Sequence, residues 1–149
     1  MTQVSRSVQL FVRAALPATF EYVSDLARHP EWNDGLHIEA LTSDPIGVGK
    51  EYSSHGKVAV QENRPNTVRI SQYEAPNRFA IVSSDRDFGE VTHEFSFKKH
   101  NDGVLITRTM TIQLNPMLAV LFKLLIYPLI GRPSMNKSFA DLKAKLESL

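Results

Sequence analysis

Apolar and polar residues alternate loosely over residues 4–12, Val-Ser-Arg-Ser-Val-Gln-Leu-Phe-Val, and this period-two pattern predicts a strand. Pro17 suits the first position of a helix, where its missing N–H costs nothing, and Phe20, Val23 and Ala27 recur at helical spacing. That helix should end near Arg28, because Pro30 disfavours helical geometry at His29. Residues 29–35, His-Pro-Glu-Trp-Asn-Asp-Gly, then read as a compact turn or short helix. From Leu36 to Leu114 the texture changes to alternating runs separated by turn signals: Asp44-Pro45-Ile46-Gly47, Asn63-Arg64-Pro65-Asn66, Ala75-Pro76-Asn77, Asp87-Phe88-Gly89 and Asn101-Asp102-Gly103. Strands are predicted at 36–42, 50–60, 67–74, 78–84, 90–99 and 104–114, and the short connections imply antiparallel hairpins.

The last hairpin has the clearest faces. Val91, His93, Phe95 and Phe97 share one side of its first strand; Val104, Ile106, Arg108, Met110 and Ile112 share one side of its second. The opposite side, Leu105, Thr107, Thr109, Thr111 and Gln113, is strand-favouring but solvated, so the sheet should have one buried and one wet face. If Asp102-Gly103 forms the turn, Arg108 stands opposite Phe97; in the next allowed register it faces Phe95.

Asn115-Pro116 is an N-cap followed by proline at the first helical position, and a helix should run from there to the end of the sequence. Pro128 removes the bond to the Leu124 carbonyl and predicts a kink, with Gly131-Arg132-Pro133 a second break. Beyond the break, Met135, Phe139, Leu142 and Leu146 form an ordinary amphipathic stripe. Before it, Leu118, Leu121, Phe122, Leu125 and Leu129 make one face, while Val120, Leu124 and Tyr127 put apolar groups on the others. A helix apolar nearly all round should be covered on more than one side.

Composition narrows the function classes. A length of 149 residues predicts one domain, 1–149, and 42% hydrophobic with 22% charged residues suits a globular chain. Seventeen Lys and Arg against sixteen Asp and Glu leave +1, too little basic excess for a phosphate-tracking nucleic-acid binder. The absence of cysteine excludes disulfides, thiolate nucleophiles and Cys-ligated metal. The five histidines are scattered, so neither a metal nor a cofactor is expected. Gly47-Val48-Gly49-Lys50 lacks phosphate-loop spacing, and no G-x-S-x-G elbow is present. The start has no basic region followed by an apolar run, and the longest apolar stretch, 117–131, is interrupted by Lys123 and Pro128 and falls short of the ~20 residues a spanning helix needs. A cytoplasmic protein without a transmembrane segment is therefore expected, and the Asn136 sequon is read as chance.

The order of these features resembles a known superfamily. A first strand is followed by Pro17, Phe20 and Asp25, then His29-Pro30-Glu31-Trp32; an antiparallel sheet carries Gly47-Val48-Gly49, Glu74-Ala75-Pro76 and Asp102-Gly103-Val104; the chain closes on Leu142-Lys143-Ala144-Lys145-Leu146-Glu147. Over essentially its whole length this is similar to the SRPBCC (START-like, polyketide cyclase/dehydrase-like) superfamily. The resemblance implies an α+β helix-grip fold, a curved seven-stranded antiparallel sheet around a long C-terminal helix with two short helices after strand 1. It also implies a cavity for a hydrophobic ligand between sheet and helix. Members include lipid and sterol carriers, hormone receptors, quinone-binding proteins and aromatic polyketide cyclases, so the fold alone does not name the activity.

Arg108 sits on the inner face, where an unpaired guanidinium is costly, so it needs a partner or a polar ligand head; His93 lies close by on the same face. Neither strand of that hairpin offers an acid on this face, which leaves a ligand oxygen, a water, or Asp25 or Glu21 from a helix. Phe95, Phe97 and Met110 on the hairpin, and Leu121 and Leu125 on the helix, would supply apolar walls. Tyr52, aligned with Val58 and Val60, is a further lining candidate. Trp32 is placed by the resemblance near the cavity entrance, or it staples the small helices to the sheet. No residue is assigned as catalytic. Three readings follow: a binding protein for one hydrophobic or amphipathic small molecule (lipid, polyketide, quinone or other aromatic); a cyclase, aromatase or dehydratase using His93 or Tyr52 as acid/base; or an interaction module whose apolar helix meets a second copy, as in a homodimer, or a membrane surface.

Overall fold

The computed structural model describes residues 1–58, 61–85 and 89–149, the side chains of 57, 58 and 61–64 excepted. Val60, Asp87 and Phe88, and the side chains of Val58, Asn63 and Arg64, therefore lie outside the described residues. Seven strands, β1 (Thr2–Val12), β2 (His37–Ala40), β3 (Glu51–Val58), β4 (Gln61–Glu74), β5 (Arg78–Asp85), β6 (Gly89–His100) and β7 (Gly103–Leu114), form one antiparallel sheet in the order β1-β7-β6-β5-β4-β3-β2. The first strand thus pairs with the last, and the chain otherwise meanders. A Cβ on Gly103 would stand 2.1 Å from the Val12 carbonyl oxygen, so the β1–β7 junction requires glycine there.

Ahead of the C-terminal helix, the structure refines or departs from the sequence expectation at two turns and at the end of the first helix. The β6–β7 turn is Asn101-Asp102, with His100 opposite Gly103, and this selects the register in which Arg108 faces Phe95. β4 begins at Gln61, so the expected turn at 63–66 is strand; Pro65 stands opposite His55, and the described pairing with β5 begins past it, at Thr67. The first helix, α1 (Leu16–Ser24), ends before Ala27, because the Asp25 side chain accepts from the Ala27 N–H and caps a separate 3-10 segment, Leu26–Glu31.

The C-terminal helix starts as read, with Asn115 Oδ1 accepting from the Leu118 N–H at 2.8 Å. It runs as α2 (Pro116–Leu121), a π-helical segment (Phe122–Gly131) and α3 (Arg132–Glu147). Neither proline interrupts it. Pro128 cannot donate to the Leu124 carbonyl, and the chain absorbs the missing bond by widening its turns; the Arg132 N–H reaches back to the Tyr127 carbonyl. The resulting 32-residue helix, Pro116–Glu147, is by length and composition apolar enough to cross a membrane, contrary to the sequence expectation, which treated Pro128 as a break. In the fold α3 packs Met135, Phe139, Leu142 and Leu146 inward.

The inner face of the sheet is divided along its length. At one end Tyr52, Val68, Ile70, Phe79, Phe95, Phe97, Val104 and Ile106 meet Phe20, Val23, Leu26 and Trp32 from the first helices and Phe139, Leu142 and Leu146 from α3. Phe79 stacks on Phe95 with centroids 4.8 Å apart and planes 6° from parallel, and Phe20 meets Phe97 edge-on at 5.2 Å. These contacts fill that half of the interior. The other half, under α2 and the π-helical segment, is open.

Candidate ligand cavity

The open half holds two adjoining cavities of about 340 and 410 Å³. They share His93, Arg108, Met110, Phe122, Ile126 and Met135 as walls. Strand parity delivers the floor: Val91 and His93 from β6, Met110 and Ile112 from β7. The π-helical segment delivers the roof through Phe122 and Ile126. The volume, and a lining that joins apolar walls to a set of polar side chains, suit one small amphipathic molecule.

Arg108 stands at the boundary between the filled and open halves. Its guanidinium carbon lies 5.4 Å from the centroid of Phe95, the residue directly across the ladder, so the packed aromatic core forms its back wall. Nη2 lies 3.3 Å from Nδ1 of His93. Nε is buried and has no hydrogen-bond partner among the described residues. Burial lowers the Arg108 pKa to about 10, with the Tyr127 hydroxyl opposing, and the group stays cationic at neutral pH. Burial first, then the Arg108 charge, then His29, hold His93 well below the ordinary histidine range. His93 is therefore a neutral imidazole whose Nδ1 accepts from Arg108 and whose proton sits on Nε2.

A second imidazole lies behind this pair. His29 is buried, its Nε2–H donates to the Val23 carbonyl at 2.7 Å, and its ring sits 4.7 Å from Trp32 and 6.3 Å from Phe95. Burial, with the Arg108 charge adding to it, brings its pKa down to about 4 against the opposing hydrogen bond. The neighbourhood of Arg108 thus holds two neutral histidines and, among the described residues, no carboxylate bonded to the guanidinium. Asp25 is engaged with the Ala27 N–H and with Arg28 at 3.4 Å, and Glu21 is exposed; neither meets Arg108.

Of the residues singled out in the sequence, His93, Arg108 and Met110 come together at the cavity wall. Phe95, Phe97 and Tyr52 are on the expected face but in the filled half, in one buried cluster with Phe20, Val23 and Trp32. Burial pushes the Tyr52 hydroxyl up to about 12, with Asp25 adding to the shift. Trp32 is buried against His29 in the core, with no partner at Nε1. Leu121 and Leu125 turn to solvent, and Phe122 and Ile126 take the inner positions instead. The helix is apolar on every side, so its residue pattern offers no means of choosing the face.

The cavity also has polar walls that the sequence reading passed over: Asn66 on β4, Ser83 and Asp85 on β5, and Ser134 and Ser138 on α3. Asn66 Oδ1 is buried without a hydrogen-bond partner, while Ser138 Oγ reaches Asn33 Oδ1 at 3.4 Å. The signal was present for the strands. Asn66 shares parity with Val68 and Ile70, and Ser83 and Asp85 with Phe79 and Ile81.

No protein-family model matches the chain, and no curated protein matches it. Solved structures do match. Protein TTHA0849 from Thermus thermophilus superposes with a TM-score of 0.77 at 15% identity, over 97% of this chain and 98% of that one. The di-domain ARO/CYC StfQ from the steffimycin biosynthetic pathway gives 0.76 at 11% identity, over 98% of this chain and 52% of that one. Ara h 8.0201 gives 0.71 at 11% identity, over 99% and 100%. The chain shares the fold of these structures, and its one seven-stranded antiparallel sheet with a long C-terminal helix is a helix-grip arrangement.

Proposed function

We propose that the protein, a single domain acting in the cytoplasm, binds one hydrophobic or amphipathic small molecule in the cavity between sheet and C-terminal helix. An anionic or carbonyl oxygen of that molecule meets Arg108. The observation that carries this reading is the buried Nε of Arg108, a charged donor without a partner, beside a cavity large enough for a ligand. A buried unsatisfied donor costs free energy that a ligand oxygen would recover. Phe122, Ile126, Met110 and Ile112 would hold the apolar body, and the unpartnered Asn66 Oδ1 would accept from a hydroxyl or amide at its far end.

A second reading rests on the same pair. His93 and Arg108 could serve a cyclase- or dehydratase-type reaction, with Arg108 stabilising an enolate and neutral His93 handling the proton; the resemblance in fold to an ARO/CYC domain supports this reading. Tyr52 is a poor alternative acid/base, being packed in the filled half. Native mass spectrometry on protein purified without added ligand tests the proposal. A retained small molecule bearing an acidic or carbonyl group is expected; a retained molecule of purely hydrocarbon character, or a retained metal complex, would contradict it.

A further inference from the structure

The outer face of the C-terminal helix is unpartnered and aliphatic. Met117, Val120, Leu121, Leu124 and Leu125 recur at three- and four-residue spacing, the stripe an amphipathic helix ordinarily turns to a core, and here all five face solvent, with Leu129 continuing the ridge to the rim of the second cavity. Met117 is 84% exposed and Leu124 and Leu129 are each 70% exposed. Contiguous apolar surface of this kind marks an interaction site.

Charge says what covers it. Arg6, Lys123 and Arg132 line one groove along the flank of this ridge, together with Tyr127, whose ring lies 5.6 Å from the Arg6 guanidinium carbon. Among the described residues none of the three cations pairs with a carboxylate. The sequence between Asp102 and Asp141 contains no acidic residue, nor does β1. A two-fold contact through the ridge would set each copy's cationic flank against a helix and strand that offer no carboxylate in reply. A bilayer carrying anionic headgroups answers both features at once, accepting the leucines among its acyl chains and the cations among its phosphates.

We propose that the outer face of the C-terminal helix, Met117 to Leu129, docks on an anionic membrane surface, lying in the interface with Arg6, Lys123 and Arg132 at headgroup level. The helix does not span the bilayer in this arrangement, because α3 remains packed on the sheet. Its inner side roofs the cavity through Phe122 and Ile126, so the docked face and the cavity lie on two sides of one element and meet at Leu129.

The test is flotation of the whole protein with phosphatidylcholine vesicles, with and without phosphatidylglycerol, beside sedimentation of the protein alone. Binding to the anionic vesicles, weakened by salt, is expected. Lys123→Glu and Arg132→Glu should each weaken it about fivefold or more, the value of one cation near an anionic surface. Leu124→Glu with Met117→Glu should abolish it while leaving uptake of an aromatic sulfonate by the cavity unchanged, since neither residue lines it. Equal binding to both vesicle types, no binding, or binding indifferent to these substitutions would overturn the proposal. So would a concentration-dependent dimer that the same leucine and methionine substitutions dissociate.

Discussion

Nη2 of Arg108 lies 3.3 Å from Nδ1 of His93 while the Nε of the same guanidinium has no partner. The pair is half satisfied. One donor is met by a neutral ring, the guanidinium carbon lies over the ring of Phe95, and no carboxylate among the described residues is bonded to the group. That imbalance separates a ligand anchor from a structural ion pair, in which a carboxylate would close the arrangement.

Replacing Arg108 by Met keeps most of the volume and removes the charge. Affinity for the amphipathic probe 1-anilinonaphthalene-8-sulfonate should fall by about 1.5–3 kcal/mol, the worth of a hydrogen bond to a charged group. Stability should hold or rise, because a buried unpaired charge is removed. Fluorescence titration and urea denaturation check the two halves; weaker folding with unchanged affinity would make Arg108 structural.

Acid should destabilise the fold through its histidines. His29 has a folded pKa of about 4 against an ordinary value near 6.5, and that of His93 is also lowered. The unfolded chain therefore takes up protons that the folded chain refuses between these values. The stabilisation is complete above about pH 6.5 and is lost as pH falls toward about 4; for His29 alone the loss is roughly 3 kcal/mol. Urea midpoints at pH 7 and pH 5 should differ in that direction, and His29→Gln should flatten the slope.

Much of this arrangement was legible because the strands keep period two. The alternation from Val104 to Ile112 placed Arg108 on the inner face, and the antiparallel hairpins followed from the turn residues. Parity names a face but not a position along it, so it could not separate Phe95 and Tyr52, buried in the filled half, from Met110 and Ile112, which line the cavity. The helix posed the opposite difficulty. With apolar residues on every side, the stripe Leu118, Phe122 and Ile126 fits helical spacing as well as the stripe Leu121, Leu125 and Leu129 one residue out of phase, so the pattern could not choose which of them faces inward. Asp25 ends α1 through a side-chain cap, ahead of the stop that Pro30 alone would impose.

The division of the interior into filled and open halves predicts unequal truncation costs. Phe95→Ala, at a fully buried ring stacked on Phe79, should cost about 3–5 kcal/mol. Leu125→Ala, on the exposed side of the helix, should stay within about 0.5 kcal/mol of the parent. Denaturant midpoints check both; comparable costs would mean that the helix face is packed in solution.

The roof of the cavity should open more readily than its floor. From Pro116 to Gly131 only Ala119 and Tyr127 are buried, and Pro128 removes one backbone donor from the π-helical segment. Amide hydrogen exchange should be faster there than in β6 and β7, and should slow when the sulfonate probe binds. Exchange as slow as in the central strands, with and without probe, would contradict a mobile roof.

The most direct test is the Arg108 side-chain resonance itself. On titration with the aromatic sulfonate, the Nε–H signal should shift downfield and become protected from exchange, while the backbone amides of Met110, Phe122 and Ile126 shift with it. Saturable binding of the probe that leaves the Arg108 Nε–H unmoved and perturbs only the outer helix face or the far strands would contradict the account.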